Sequence, residues 1–207
     1  MRELPKPIVV VSKCIEFESV RWNSQIISSD FVRKLRHCVT FIPVCPEVEI
    51  GLHVPRDPLR GVSSDRKLKL VQPNTQLDVT NRMLKFTDSF LNSLPEVDGF
   101  ILKSSSPSCA LKDAKIISDR QEPASTARGP GFFGKRVSKK YPYLAIEDER
   151  RLASPQIAEH FLRKIFASAR SRHVRACKLQ KRQIKLKPAK PSQHFSGPRG
   201  RPEGKLR

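Results

Sequence analysis

The sequence predicts an α/β fold: a single Rossmann-like domain over residues 1–166, with a mostly parallel sheet and flanking helices, then a disordered basic tail over 167–207. Three observations predict it. Apolar, β-forming runs at 8–11, 39–44 and 97–102 alternate with turn signals, as buried strands do. Each run delivers one cysteine at or just beyond its C-terminal end: Cys14, Cys45 and Cys109. Beyond Phe166 the chain turns basic and polar, and fourteen of its twenty net positive charges lie from Phe161 onward. In a parallel sheet the C-terminal strand ends share one edge, where ligands bind, so three thiols distant in sequence can meet there.

The elements follow in order. After the first strand, Ser28 or Ser29 caps a helix over 30–37, with Phe31, Val32 and Leu35 on one face. Cys38 at its end reads as a small, half-buried residue. The second strand runs into Cys45-Pro46-Glu47, where an extended segment would put Glu47 and Glu49 on one face. Prolines 46, 55 and 58 stiffen this loop, so that it can present an acid and Arg56 at low entropic cost. Residues 67–71 and 77–79 form a hairpin. Thr80 caps a helix over 81–94, whose stripe of Met83, Phe86, Phe90, Leu91 and Leu94 is core packing. After the third strand come a serine-rich loop with Cys109, a short strand at 114–117, a loop over 118–131 and a basic helix over 132–141. Ser154-Pro155 opens a last helix with Ile157, Phe161, Ile165 and Phe166 toward the core.

No apolar run reaches 18 residues, so no membrane-spanning helix is indicated, and the N-terminus lacks the hydrophobic core of a signal peptide. The default compartment is the cytoplasm, where five widely spaced cysteines are free, catalytic or metal-bound rather than paired in disulfides. Zinc normally wants a fourth Cys or His, often in CxxC or HxxxH spacing, and none is present. Three thiolates with an open position suit a 4Fe–4S cluster better. Inert buried thiols are the other reading of the same spacing.

Several segments carry a resemblance: Ser12-Lys13-Cys14, Val20-Arg21-Trp22-Asn23, FIPVCPEVEIGLHVPR from Phe41, and VDGFILKSSSPSC ending at Cys109. Across about residues 6–150 the chain resembles the thiouracil desulfurase family. The resemblance implies a 4Fe–4S cluster held by Cys14, Cys45 and Cys109. Its open iron would take the sulfur of a small thiocarbonyl substrate such as 2-thiouracil, which water replaces without net redox change. Glu47, two residues from a ligand cysteine, then suits acid/base work on water or a ring nitrogen, and Ser104 suits orienting the substrate. Ser106 and Ser108 are placed to bond cluster sulfides, and Lys13, Arg56 and Lys103 to offset thiolate charge. Two positions depart from the family, which has Gly where Ser24 and Ala110 stand; a positive φ at Ala110 would strain the third ligand's loop.

Residues 160–172 resemble the junction at which longer relatives enter a second helical domain, so the tail reads as a remnant of one, truncated or frame-shifted. Its charge would also bind nucleic acid through phosphate, without sequence preference. The alternative to a desulfurase is accordingly a non-enzymatic, basic nucleic-acid-binding or degenerate protein that keeps only the scaffold. The oligomeric state has no signature in the sequence.

Overall fold

The computed structural model describes residues 5–64, 67–118 and 126–186. The chain runs β1 (Ile8–Ser12), α1 (Asp30–Leu35), β2 (Thr40–Val44), α2 (Pro46–Glu49), then β3 (Arg60–Ser64), β4 (Lys67–Gln72) and β5 (Leu77–Asp78). It continues through α3 (Thr80–Ser93), β6 (Gly99–Leu102), β7 (Ala114–Ser118), β8 (Thr126–Gly129), α4 (Phe132–Lys140) and β9 (Ala145–Asp148). A 3-10 turn (Arg151–Ala153) leads into α5 (Pro155–Leu186).

The three cysteine-bearing strands lie side by side. One four-stranded sheet has the order β2-β1-β6-β9, and every pair in it is parallel. Its central strands are apolar except for Ser12 at the end of β1, as strands covered by helices on both faces are. On one face Val9, Val11 and Ile101 pack with Val32 and Leu35 of α1 and with Phe161 and Ile165 of α5. On the other, Val10, Phe100 and Leu102 meet Leu91 of α3 and Phe133 and Val137 of α4. Fully burying each such side chain contributes roughly 1.5–3 kcal/mol. This is the expected mixed α/β domain with a parallel sheet and flanking helices.

A second sheet, in the order β5-β4-β3-β7-β8, lies outside the expectation. Its pairs are antiparallel except β3 with β7. The expected hairpin is β4–β5 and the expected short strand is β7. Strands β3, of sequence RGVSS, and β8, TARG, have too few apolar residues to announce themselves. They are strands because β4 and β7 offer them backbone partners.

Local corrections follow from the same competition between local and long-range bonding. Pro46–Glu49 is a helical turn, with proline at its first position, rather than extended chain. Ser29, of the two candidates, caps α1 by accepting from the Val32 amide. Thr80 does not cap α3: the flanking residue there is Val79, and the Thr80 hydroxyl accepts from the Leu70 amide at 2.8 Å. Ser24 adopts the left-handed conformation, φ 58°, while Ala110 does not have positive φ, so the strain feared beside Cys109 does not arise.

The boundary expected at 166 falls inside α5. Contacts divide the chain into Met1–His173 and a second unit from Val174. Within the first, Ala169 is fully buried, and the buried Asp98 accepts from Ser168 Oγ at 2.8 Å and from Arg172 Nη2 at 2.8 Å. Residues 167–186 are thus helical rather than disordered: no Gly or Pro interrupts them, and Ala, Arg and Lys are good helix formers. The rest of the expected tail, 187–207, lies outside the described residues. No helix among the described residues is long and apolar enough to cross a membrane.

Candidate functional site

Each cysteine reaches the site by leaving a parallel strand at its C-terminal end. Cys14 lies two residues past β1, Cys45 immediately past β2, and Cys109 within the loop that joins β6 to β7. All three are buried and line one cavity of about 870 Å³ at that edge of the sheet. None is in a disulfide. Cys38, Cys177, His37 and His53 do not line it.

The thiols perturb one another. Burial, and then the charge of Cys45, push Cys14 up to about 12 from its ordinary value of 9.0. Burial raises Cys45 too, opposed by the nearby backbone N–H groups of Val48 and Glu47. Cys109 is raised well above its ordinary value, first by burial and further by the charges of Cys45 and Cys14; a Ser12 hydroxyl bond opposes the shift. Three such thiols are costly to ionise alone, and a cationic centre that binds them as thiolates would remove that cost. Among the described residues, no three His, Cys, Asp or Glu side chains close on a single metal ion. Three thiols lining one cavity can offer an iron–sulfur group one thiolate for each of three irons.

Around the thiols lie two networks of acids. In the first, the turn of α2 puts Glu47 against the cavity and leaves Glu49 exposed, so the two are not on one face. Glu47 Oε2 accepts from Arg56 Nε at 3.0 Å and Nη2 at 2.6 Å, and Oε1 accepts from Ser108 Oγ at 2.9 Å. The Arg56 amide in turn donates to the Trp22 carbonyl at 2.9 Å. Trp22 is half-exposed, and no other aromatic side chain lines the cavity among the described residues.

The second network joins Lys103, Ser104 and Glu149. Glu149 Oε1 accepts from Lys103 Nζ and from Ser104 Oγ, each at 2.6 Å, and Oε2 accepts from the Ser104 amide at 2.8 Å. Lys13 pairs with Glu18 at 2.8 Å. The three expected cations are therefore each matched by a carboxylate, although Lys103 still lowers the Cys14 value through its charge. Ser106 Oγ accepts from the amides of Ser108 and Cys109, and Ser108 is spent on Glu47. The far wall is basic: Arg60, Lys115 and Arg128 stand on the adjacent strands β3, β7 and β8, with Lys115 opposite Arg128 in register.

The sequence does not mark Glu149, Gly131 or Gly134 as functional, and offers Ser12 only as part of Ser12-Lys13-Cys14. Glu149 has no local signal, since a lone acid after a short strand means little. The glycines do have one, in the stretch Gly131-Phe132-Phe133-Gly134 at the start of the basic helix. A Cβ on Gly131 would lie 2.5 Å from the Ser108 carbonyl oxygen, and one on Gly134 only 2.2 Å from that of Ala110. Their bareness lets α4 press against the Cys109 loop. The Gly131 amide donates to Ala110 O and the Phe133 amide to Ser108 O, both at 2.8 Å.

The family model described as 2-thiouracil desulfurase matches residues 9–149, a span that contains all three cysteines, Glu47, Ser104 and Glu149. A solved structure, the [4Fe-4S]-dependent thiouracil desulfidase TudS, is similar with a TM-score of 0.57 and 25% identity. The match covers 75% of this chain and 97% of that one. No curated protein matches.

Proposed function

The chain belongs to the 2-thiouracil desulfurase family, and from that premise we propose that it exchanges the sulfur of a small thiocarbonyl such as 2-thiouracil for oxygen from water. In the balance, the C=S group and one water give the C=O group and one hydrogen sulfide, with no electrons transferred. The observation that carries this reading is the meeting of three buried cysteines from three strand ends in one cavity with Glu47. Cys14, Cys45 and Cys109 would hold a 4Fe–4S cluster. Bound there, the cluster would supply a Lewis-acidic open iron for the thiocarbonyl sulfur.

The chain's own residues supply the rest. Glu47 faces the cavity as a carboxylate whose orientation is fixed by Arg56 and Ser108. It takes the proton from the attacking water and returns it to the departing sulfide, a role worth about 10²–10⁴ in rate. Ser104, held rigid by Glu149 and Lys103, orients the ring. The walls limit water access, since the three cysteines and Ser12, Ser104 and Ser108 are buried.

The test is anoxic reconstitution followed by incubation with 2-thiouracil, measuring iron, sulfide and uracil. The proposal expects four irons per chain and equal amounts of sulfide and uracil without added reductant. A fully loaded protein that releases no sulfide refutes it and favours the scaffold alternative. So does a Cys109→Ala variant that lacks iron yet keeps activity.

A further inference from the structure

We propose that Glu149 is a positioning residue: it holds the Ser104 proton, so that Ser104 turns only a lone pair to the cavity and selects a ligand carrying an N–H there. This rests on the reading of Ser104 as a substrate contact.

The topology sets the network up. β6 and β9 are parallel neighbours with Leu102 opposite Asp148, so the next residues on each strand emerge together at the cavity edge. Lys103 and Glu149 form an ion pair whose side chains are 11% and 7% exposed. An ammonium has three donors. Those of Lys103 go to Glu149 Oε1 at 2.6 Å, Ser104 O at 2.9 Å and Ser104 Oγ at 3.0 Å. Lys103 therefore has nothing left to donate to a ligand, although it lines the cavity.

The same count decides what Ser104 offers. A hydroxyl has one proton and two lone pairs. Since Lys103 can only donate, it occupies one lone pair; since a carboxylate can only accept, Glu149 takes the proton, at 2.6 Å. One lone pair remains. Glu149 Oε2 also holds the Ser104 amide at 2.8 Å, which fixes the backbone that carries the hydroxyl. The next residue, Ser105, is pinned through its own amide and hydroxyl to Asp113, at 2.9 and 2.7 Å. A ligand atom meeting Ser104 must then be a donor. In a cyclic thioamide the N–H beside the thiocarbonyl is that donor. An N-alkylated ring has none, and leaves the Ser104 lone pair buried without a partner.

The experiment uses the cluster-loaded full chain without oxygen and measures, by calorimetry, the Kd of uracil and of 1,3-dimethyluracil, rings with no sulfur to remove. The readout is the ratio of the two. In the unsubstituted protein dimethylation is expected to weaken binding about tenfold or more, the worth of one hydrogen bond left unmade. Ser104→Ala and Glu149→Ala should each bring the ratio close to one, and the double variant should move it no further, because the two act as a unit. Glu149→Ala strands the Lys103 charge, so the comparison is repeated between the unsubstituted protein and Lys103→Met/Glu149→Ala, which leaves neither charge of the pair. A full ratio in the Glu149 variants with a lost one in Ser104→Ala overturns the role of Glu149. A ratio that Ser104→Ala does not move overturns the reading of Ser104 beneath it. An intact pattern in a protein that releases no sulfide from 2-thiouracil supports this inference and refutes the desulfurase proposal alone.

Discussion

Replacing Gly134 by Ala tests whether the close approach of α4 positions Cys109, the third of the proposed cluster ligands. The added Cβ would lie 2.2 Å from Ala110 O and 2.6 Å from Cys109 O, separations that real Cβ atoms essentially never show. Both neighbours are backbone, so helix or loop must retreat by about 1 Å, and overpacking of this kind costs about 1–3 kcal/mol. Against this, Ala is about 1 kcal/mol better than Gly within a helix. The net loss is therefore small, about 0–2 kcal/mol, and at about 2–4 °C per kcal/mol the melting temperature moves only by several degrees. The cluster should respond far more. Ligand distances tolerate only about 0.2 Å, and the carbonyl of Cys109 itself is one of the atoms displaced. Gly134→Ala should therefore stay folded and lose most of its iron. Iron and sulfide per chain after anoxic reconstitution measure this, beside a melting curve. Gly61→Ala is the control, since its nearest neighbour would be an ordinary 3.5 Å away. Full iron and full activity in Gly134→Ala would refute the reasoning.

Further expectations concern acid, ligand, anchor and pH. Glu47→Gln should keep its iron and lose about 10²–10⁴ in sulfide release from 2-thiouracil, as removal of a positioned base does; unchanged turnover would remove Glu47 from the reaction. Cys45→Ser should lose iron and activity together, because a serine hydroxyl replaces a thiolate poorly on iron. Asp98 is fully buried, accepts from Arg172 and Ser168, and also receives the Ile8 amide at 2.8 Å. Asp98→Ala leaves these donors unmatched and should destabilise the domain by about 3–5 kcal/mol in urea melts; a loss under about 1 kcal/mol would show that α5 is held by its apolar face alone. In cluster-free protein the buried, protonated Cys14 titrates near 12 when folded and near 9.0 when unfolded. The native state then binds more protons over that interval, so stability should fall as pH rises from about 9 toward 12. Cys14→Ala should flatten the slope in melts taken between pH 8 and 10.

The sequence by itself determined the three cysteine-bearing strands. Val9, Val10 and Val11 form an unbroken apolar run, as do Phe100, Ile101 and Leu102, and only a strand covered on both faces buries such a run. Parallel pairing then sends Cys14, Cys45 and Cys109 to one edge, and the specific spacing around Cys45 and Cys109 carried the family. The apolar stripe of α3 was equally legible, because its 3.6-residue period is local. Tertiary structure alone decided what depends on distant partners. β3 and β8 are strands by virtue of the neighbours that take their backbone groups, and RGVSS shows no preference of its own. Glu47 sits on a helical turn where local pattern suggested extended chain, and its orientation depends on Ser108, which is 61 residues away. α5 continues past Phe166 as part of the domain because Asp98, 70 residues upstream, binds Ser168. Glu149 meets Ser104 only because β9, a strand with no announcement in the sequence, pairs beside β6. Local propensity and period act over a few residues, while a buried hydrogen bond is placed by the packing of the whole sheet.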